Sequence, residues 1–121
     1  MILDSNIIIY SALPDHAKLR DFIRDNSPYV SDISKVEVMG YNKLSGDDLR
    51  YFDSFFEATT LIPVSDVVIL EAVSLRQQRM MSLGDSIVAA SAITNNFSLV
   101  TSNTKDFKWI NRLALINPLE E

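Results

Sequence analysis

Cysteine is absent from this 121-residue chain, histidine and tryptophan occur once each, and there are only three glycines. Without cysteine there is no disulfide framework, no thiolate metal site and no thiol nucleophile. The lone His16 stands at an expected helix start with no Ser partner to activate, and three glycines build no Gly-rich phosphate loop. Long apolar runs are missing too: no stretch approaches the roughly 18 residues of a spanning helix. The first residues carry no basic segment and are interrupted by Asp4, so neither a leader nor a membrane anchor is expected, and the cytoplasm is the expected compartment. Positive charge is scarce, with 11 Lys and Arg against 16 Asp and Glu and a net charge of −5. That balance argues against a general electrostatic grip on nucleic acid. It leaves room for a nucleic-acid enzyme whose clustered acids hold a metal ion.

What remains is ordinary globular composition, 47% hydrophobic and 22% charged, without repeats or low-complexity runs. One domain over residues 1–121 is expected, with disorder confined to Glu120 and Glu121. The opening MILDSN reads as a short buried strand ending in the carboxylate of Asp4, with Ile7 to Tyr10 continuing apolar into a turn at Leu13–Asp15. Helical spacing follows over about 15–25, with Leu19, Phe22 and Ile23 on one face, before a very short strand at Tyr29 and Val30. A helix from Asp32 to about Leu44, capped by Ser31, stacks Ser31, Ser34 and Glu37 along one side. Beyond it the pattern predicts a helix from Ser45 with Leu49, Phe52, Phe55 and Phe56 on one face, and a strand at Leu61–Pro63. That aromatic face reads more readily as core, although a partner helix would use the same surface. Ser65 caps a helix running to about Arg79, Met80 to Asp85 form a turn, and Asp85 opens an Ala-rich buried helix ended by Asn95 and Asn96. A strand at Ser98–Thr101, a polar loop SNTKDF and a strand at Ala114–Ile116 complete the chain. Short strands alternating with amphipathic helices predict an α/β fold, a parallel sheet with helices on both faces.

Four acids then fall at or near the C-terminal edge of that sheet: Asp4, Glu37, Asp85 and Asp106. Ligands bind at this edge in open α/β sheets, where strand order reverses. Each acid singly has a plain reading: Asp85 and Asp106 as N-caps, Glu37 as a helix-start charge, Asp4 as the first residue of a turn. Together, carboxylates on one site repel one another unless a cation compensates them. Oxygen ligands without Cys or a suitable His favour Mg²⁺ or Mn²⁺ over Zn²⁺, and such a site hydrolyses phosphodiesters without a nucleophilic side chain.

In order and spacing, MILDSNIII, SDISKVEVMGY and SLGDSIVAASAITNNFSLVTSNTKDF resemble the signature blocks of PIN-domain ribonucleases, particularly the toxin subunits of VapBC-type pairs. The stretch from Gly40 to Arg79 carries the resemblance least. It implies a three-layer sandwich with a short, mainly parallel central sheet, strand one at its centre, and Mg²⁺- or Mn²⁺-dependent endoribonuclease activity. A homodimer inhibited by a cognate antitoxin protein is implied as well. Carried over by position, Asp4, Glu37 and Asp85 match the metal-binding acids, and Asp106 a fourth whose place varies. Many relatives have Asp where this chain has Asn103, which is expected to organise its loop. Ser5, Asn6, Ser31 and Thr101 match hydroxyl or amide positions that orient the carboxylates. Of the scattered cations, Arg76, Arg79 and Lys105 could line the mouth of the site, the others reading as solvated helix faces. Two alternatives stand beside this reading. One is a catalytically inactive PIN-like RNA-binding or scaffold module, which usually lacks one of the acids. The other is a DNA flap nuclease, whose extra acids and insertions this chain has no room for.

Overall fold

The computed structural model describes residues 1–120; the part of the expected disordered tail that falls on Glu121 lies outside them. The elements are β1 (Ile2–Leu3), α1 (Ser5–Ser11), α2 (Ala17–Asn26), β2 (Tyr29–Ser31), α3 (Asp32–Met39) and α4 (Gly46–Glu57). They continue as β3 (Leu61–Ile62), α5 (Asp66–Gln78), α6 (Leu83–Thr94), β4 (Leu99–Val100), α7 (Thr104–Phe107) and β5 (Leu115–Ile116). All four strand pairings are parallel, in the order β3-β2-β1-β4-β5, so β1 is central and strand order reverses between β1 and β4.

Alternation along the strands divides the core in two. Ile2 and Leu99 face the layer containing α5 and α6, packing with Val68, Leu75, Val88 and Phe107. Leu3, Val30 and Val100 face the other way, onto Ile7 and Ile8 of α1, Leu19 of α2, and Phe52 and Phe56 of α4. Phe52 and Phe56 are therefore core, and the aromatic side of α4 is not an open docking face. Helix α6 is buried over Ser86–Ala92. Its Ala residues admit close packing, while Ser86 and Ser91 donate to the Leu83 and Ile87 carbonyls inside the helix.

The structure corrects the predicted elements in four places. Residues Ser5–Ser11 form a helix, although three consecutive isoleucines have modest helix propensity. Burial decides: the Asp4 amide pairs with Val100 O, the Ile7 amide donates to Asp4 O, and Ile7 and Ile8 become fully enclosed. Helix α3 stops at Met39 instead of near Leu44, with the weak helix former Gly40 as its C-cap, whose amide donates to Val36 O. Helix α6 begins at Leu83, since Ser82 accepts the Asp85 amide and is the cap, which places Asp85 inside the first turn. The polar loop after β4 contains the short helix α7, with Asp106 in its first turn and Asn103 at its N-terminal boundary.

Leu99 has no exposed surface and lies in the central pair β1–β4. Leu99→Ala should cost about 2–5 kcal/mol in urea unfolding, the usual range for a buried Leu-to-Ala cavity. A loss below 1 kcal/mol would contradict the central place of β4.

Candidate active site

The candidate site starts where β1 and β4 end side by side. Asp4 leaves β1 with its amide bonded to Val100 O at 2.9 Å, and Thr101, the first residue after β4, donates its hydroxyl to Asp4 Oδ2 at 2.9 Å. Asp4 occupies the N-cap position of α1, but its side chain makes no capping bond. It points instead to the gap at which strand order reverses, the place where α/β sheets bind ligands. The carboxylate is almost wholly buried, and that burial is the main cause that pushes its pKa up from 3.8 to about 6. Asp85 and Glu37 push in the same direction, while the bonds from Thr101 and the Ser5 amide pull against them.

Glu37 arrives from α3. Ser31 fixes the start of that helix by accepting the Ile33 amide at 3.2 Å, so its hydroxyl orients the helix and touches no carboxylate. The Ser5 hydroxyl donates to Glu37 Oε1 at 2.7 Å, and its oxygen lies 2.8 Å from the Ser34 hydroxyl. On its other side Glu37 rests against α6: a β-carbon on Gly84 would stand 2.3 Å from Glu37 Oε2. Only a glycine permits that approach. Next to it, Asp85 is half-buried, and its pKa is raised by burial, countered by Ser82, and raised further by Asp106 and Glu37. Asp106 lies exposed in the first turn of α7, lining with Asp85 a cavity of about 280 Å³.

The four acids thus run from buried Asp4 through half-buried Asp85 to exposed Glu37 and Asp106, coupled by charge in pairs. Closure on one ion is not seen: among the described residues no three Asp, Glu or His side chains stand at the spacing a shared cation requires. Like charges repel, and each inner acid is held toward its own hydroxyl, Asp4 by Thr101, Glu37 by Ser5 and Asp85 by Ser82. No Lys or Arg compensates them either, because the salt bridges among the described residues involve Arg24, Arg50 and Arg112 with other acids. Such a set of hard oxygen donors, short of positive charge and without His or Cys, fits Mg²⁺ or Mn²⁺.

Asn6 is half-buried on α1 and has no side-chain hydrogen bond among the described residues. Asn103 takes part through its backbone, donating its amide to Thr101 Oγ1 at 3.0 Å and so tying the α7 loop to the residue that holds Asp4. Three contributors, Ser34, Ser82 and Gly84, lie outside the set expected from the sequence. Ser82 carried a readable signal, a Ser three residues before an acid at a helix start. Gly84 carried none, because its role depends on α3 and α6 meeting.

Residues 1–113 match the family model described as PIN domain. Ribonuclease VapC1 of Rickettsia felis is 28% identical, over 96% of this chain and 94% of its own. Among solved structures, a toxin-antitoxin complex from Klebsiella pneumoniae contains a chain that is 26% identical with a TM-score of 0.79, covering 99% of this chain and 98% of that one. VapBC2 from Rickettsia felis, bound to a DNA fragment from its promoter, gives 25% identity and a TM-score of 0.80 over 96% of each chain.

A folded-state pKa above the unfolded value means that the fold binds the Asp4 proton more tightly than the unfolded chain does. Metal-free protein should therefore lose stability as pH rises from about 4 to about 6, by roughly 3 kcal/mol from this group alone. Asp4→Asn removes that cost and in EDTA at pH 7 should melt several degrees above the parent. A lower melting temperature for Asp4→Asn would show that the buried charge is compensated within the protein.

Proposed function

The chain belongs to the PIN domain family, and on that premise we propose that it is a Mg²⁺- or Mn²⁺-dependent endoribonuclease, the toxin of a toxin-antitoxin pair. The observation that carries this reading is the line of mutually coupled acids at the reversal of strand order, none of them in a salt bridge among the described residues. Asp4, Glu37, Asp85 and Asp106 would hold the metal. Once bound, such an ion supplies hydroxide from water at neutral pH and neutralises charge on phosphate oxygens.

The residues of the chain set the conditions for that chemistry. Thr101 keeps Asp4 turned toward the cleft, while Ser5, backed by Ser34, and the bare backbone of Gly84 keep Glu37 beside Asp85. Asp4 holds a proton below about pH 6, so cation binding should weaken in acid. Asp106, at the open rim, is the acid that RNA meets first.

The same reading supplies the partners. The chain would act as one domain in the cytoplasm, paired with a cognate antitoxin protein and as a homodimer. The outward side chains Val67, Leu70 and Val73 of α5 give a second copy an apolar strip to cover. No helix among the described residues is long and apolar enough to cross a membrane.

Purified protein should cleave single-stranded RNA with Mg²⁺ or Mn²⁺ and not in excess EDTA, and undiminished cleavage in EDTA would falsify the metal-dependent reading. The same ions should stabilise the fold by roughly 2.7 kcal/mol at 100 times their Kd. Gly84→Ala separates site geometry from stability. A helical Gly-to-Ala change stabilises by up to about 1 kcal/mol, and the new methyl meets only the movable end of Glu37. Cleavage should fall at least tenfold while the melting temperature holds or rises; full activity would show that the position of Glu37 against α6 is unimportant.

A further inference from the structure

At the open end of the acid line two cations and the single tryptophan meet. The cavity of about 280 Å³ that holds Asp85 and Asp106 is also lined by Arg79, Ser82 and Lys105. Arg79 ends α5 in an extended conformation, φ −160° and ψ 148°, and its guanidinium carbon lies 5.7 Å from the centroid of the Trp109 ring. Trp109 is itself fixed, half-buried against the core, with its indole N–H donating to Asp106 O at 3.1 Å. The aromatic ring is thereby tied to the short helix that carries both Asp106 and Lys105.

Electrostatics makes the arrangement unusual. Two carboxylates line the same cavity, yet among the described residues neither Arg79 nor Lys105 forms a salt bridge. A long cationic side chain free to move would swing onto the acids. The cation–π contact with Trp109 holds the guanidinium aside instead, and among the described residues its N–H groups make no hydrogen bond. A polyanion approaching a site of four acids in a chain of net charge −5 needs local positive charge to dock.

We propose that Arg79 and Lys105 form a phosphate anchor at the rim of the site, with Trp109 as the positioning residue for Arg79. Its ligand is an RNA phosphodiester adjacent to the one being cleaved, so the inference rests on the ribonuclease reading above. The anchor holds the neighbouring nucleotide and thereby presents the scissile linkage to the acids. Arg provides a planar, forked donor set suited to phosphate oxygens, and Lys adds a point charge in the same cavity.

The test uses a fluorescently labelled single-stranded RNA 12-mer, with binding measured in EDTA across a salt series and cleavage measured in Mn²⁺. Arg79→Ala should weaken binding about tenfold. The slope of log K against log salt should fall by about 0.7, the value of one single-strand phosphate contact. In cleavage the change should appear in KM, with kcat within about twofold. Lys105→Ala should do the same, and Arg79→Lys should restore the salt slope. Trp109→Leu should behave as Arg79→Ala, whereas Trp109→Phe, which keeps an aromatic face, should rescue binding. Wild-type cleavage with unchanged KM and salt slope in Arg79→Ala and Lys105→Ala overturns the anchor and leaves the ribonuclease reading standing. Unchanged RNA binding with lost affinity for an acidic partner peptide overturns it in favour of a protein contact. A wild-type protein that cleaves no RNA in Mg²⁺ or Mn²⁺ overturns the ribonuclease reading, and the anchor with it.

Discussion

One contact, the Thr101 hydroxyl on the Asp4 carboxylate, joins residues 97 positions apart and closes the junction between β1 and β4. The rest of the site depends on it. The Asp4 amide is already committed to Val100, so backbone and side chain of a single residue lock together the two parallel strands between which strand order reverses. A carboxylate so enclosed would normally be excluded from a core on energetic grounds. Its retention at the edge of the sheet where strand order reverses costs the metal-free fold stability, as its raised pKa shows.

The electrostatic pattern extends this outward. Enclosure falls from Asp4 to Asp85 to Glu37 and Asp106, so the cost of charge is concentrated at the inner end and the outer acids remain solvated. Serine and threonine hydroxyls supply the counterweight that Lys or Arg would otherwise provide. A hydroxyl can orient a carboxylate without cancelling its charge, which keeps the acids available to a cation. Two of the protein's own cations, Arg79 and Lys105, stand at the rim, with the Arg79 guanidinium over the Trp109 ring.

Packing and function meet at the contact of α3 with α6. Helix α6 is filled with Ala and Ser where it is buried, and at its first turn Gly84 lets the Glu37 carboxylate lie against the backbone. Close approach of the helices, needed for the core, is thus the same feature that brings an acid of one helix beside an acid of the next. The capping serines act in concert: Ser31 sets the start of α3, and Ser82 the start of α6.

Much of this was legible in the residues alone. Alternation of short apolar runs with amphipathic segments determined the layered α/β arrangement, and Ser31, Ser45 and Ser65 mark helix starts because their hydroxyls satisfy local amides. Asp4 at the end of an apolar run already implied a polar group on the sheet edge. Tertiary structure decided what local preference could not. Three isoleucines with modest helix propensity became α1 because burying two of them outweighs that preference. Asp85 moved inside its helix because Ser82 competes for the same cap. The spacing of the acids, the demand for a bare Gly84 and the cation–π contact of Arg79 with Trp109 came from the fold alone, since each depends on segments distant in the chain. Such contacts have no periodicity or spacing to announce them; they exist only once the two cores have fixed where the helices lie.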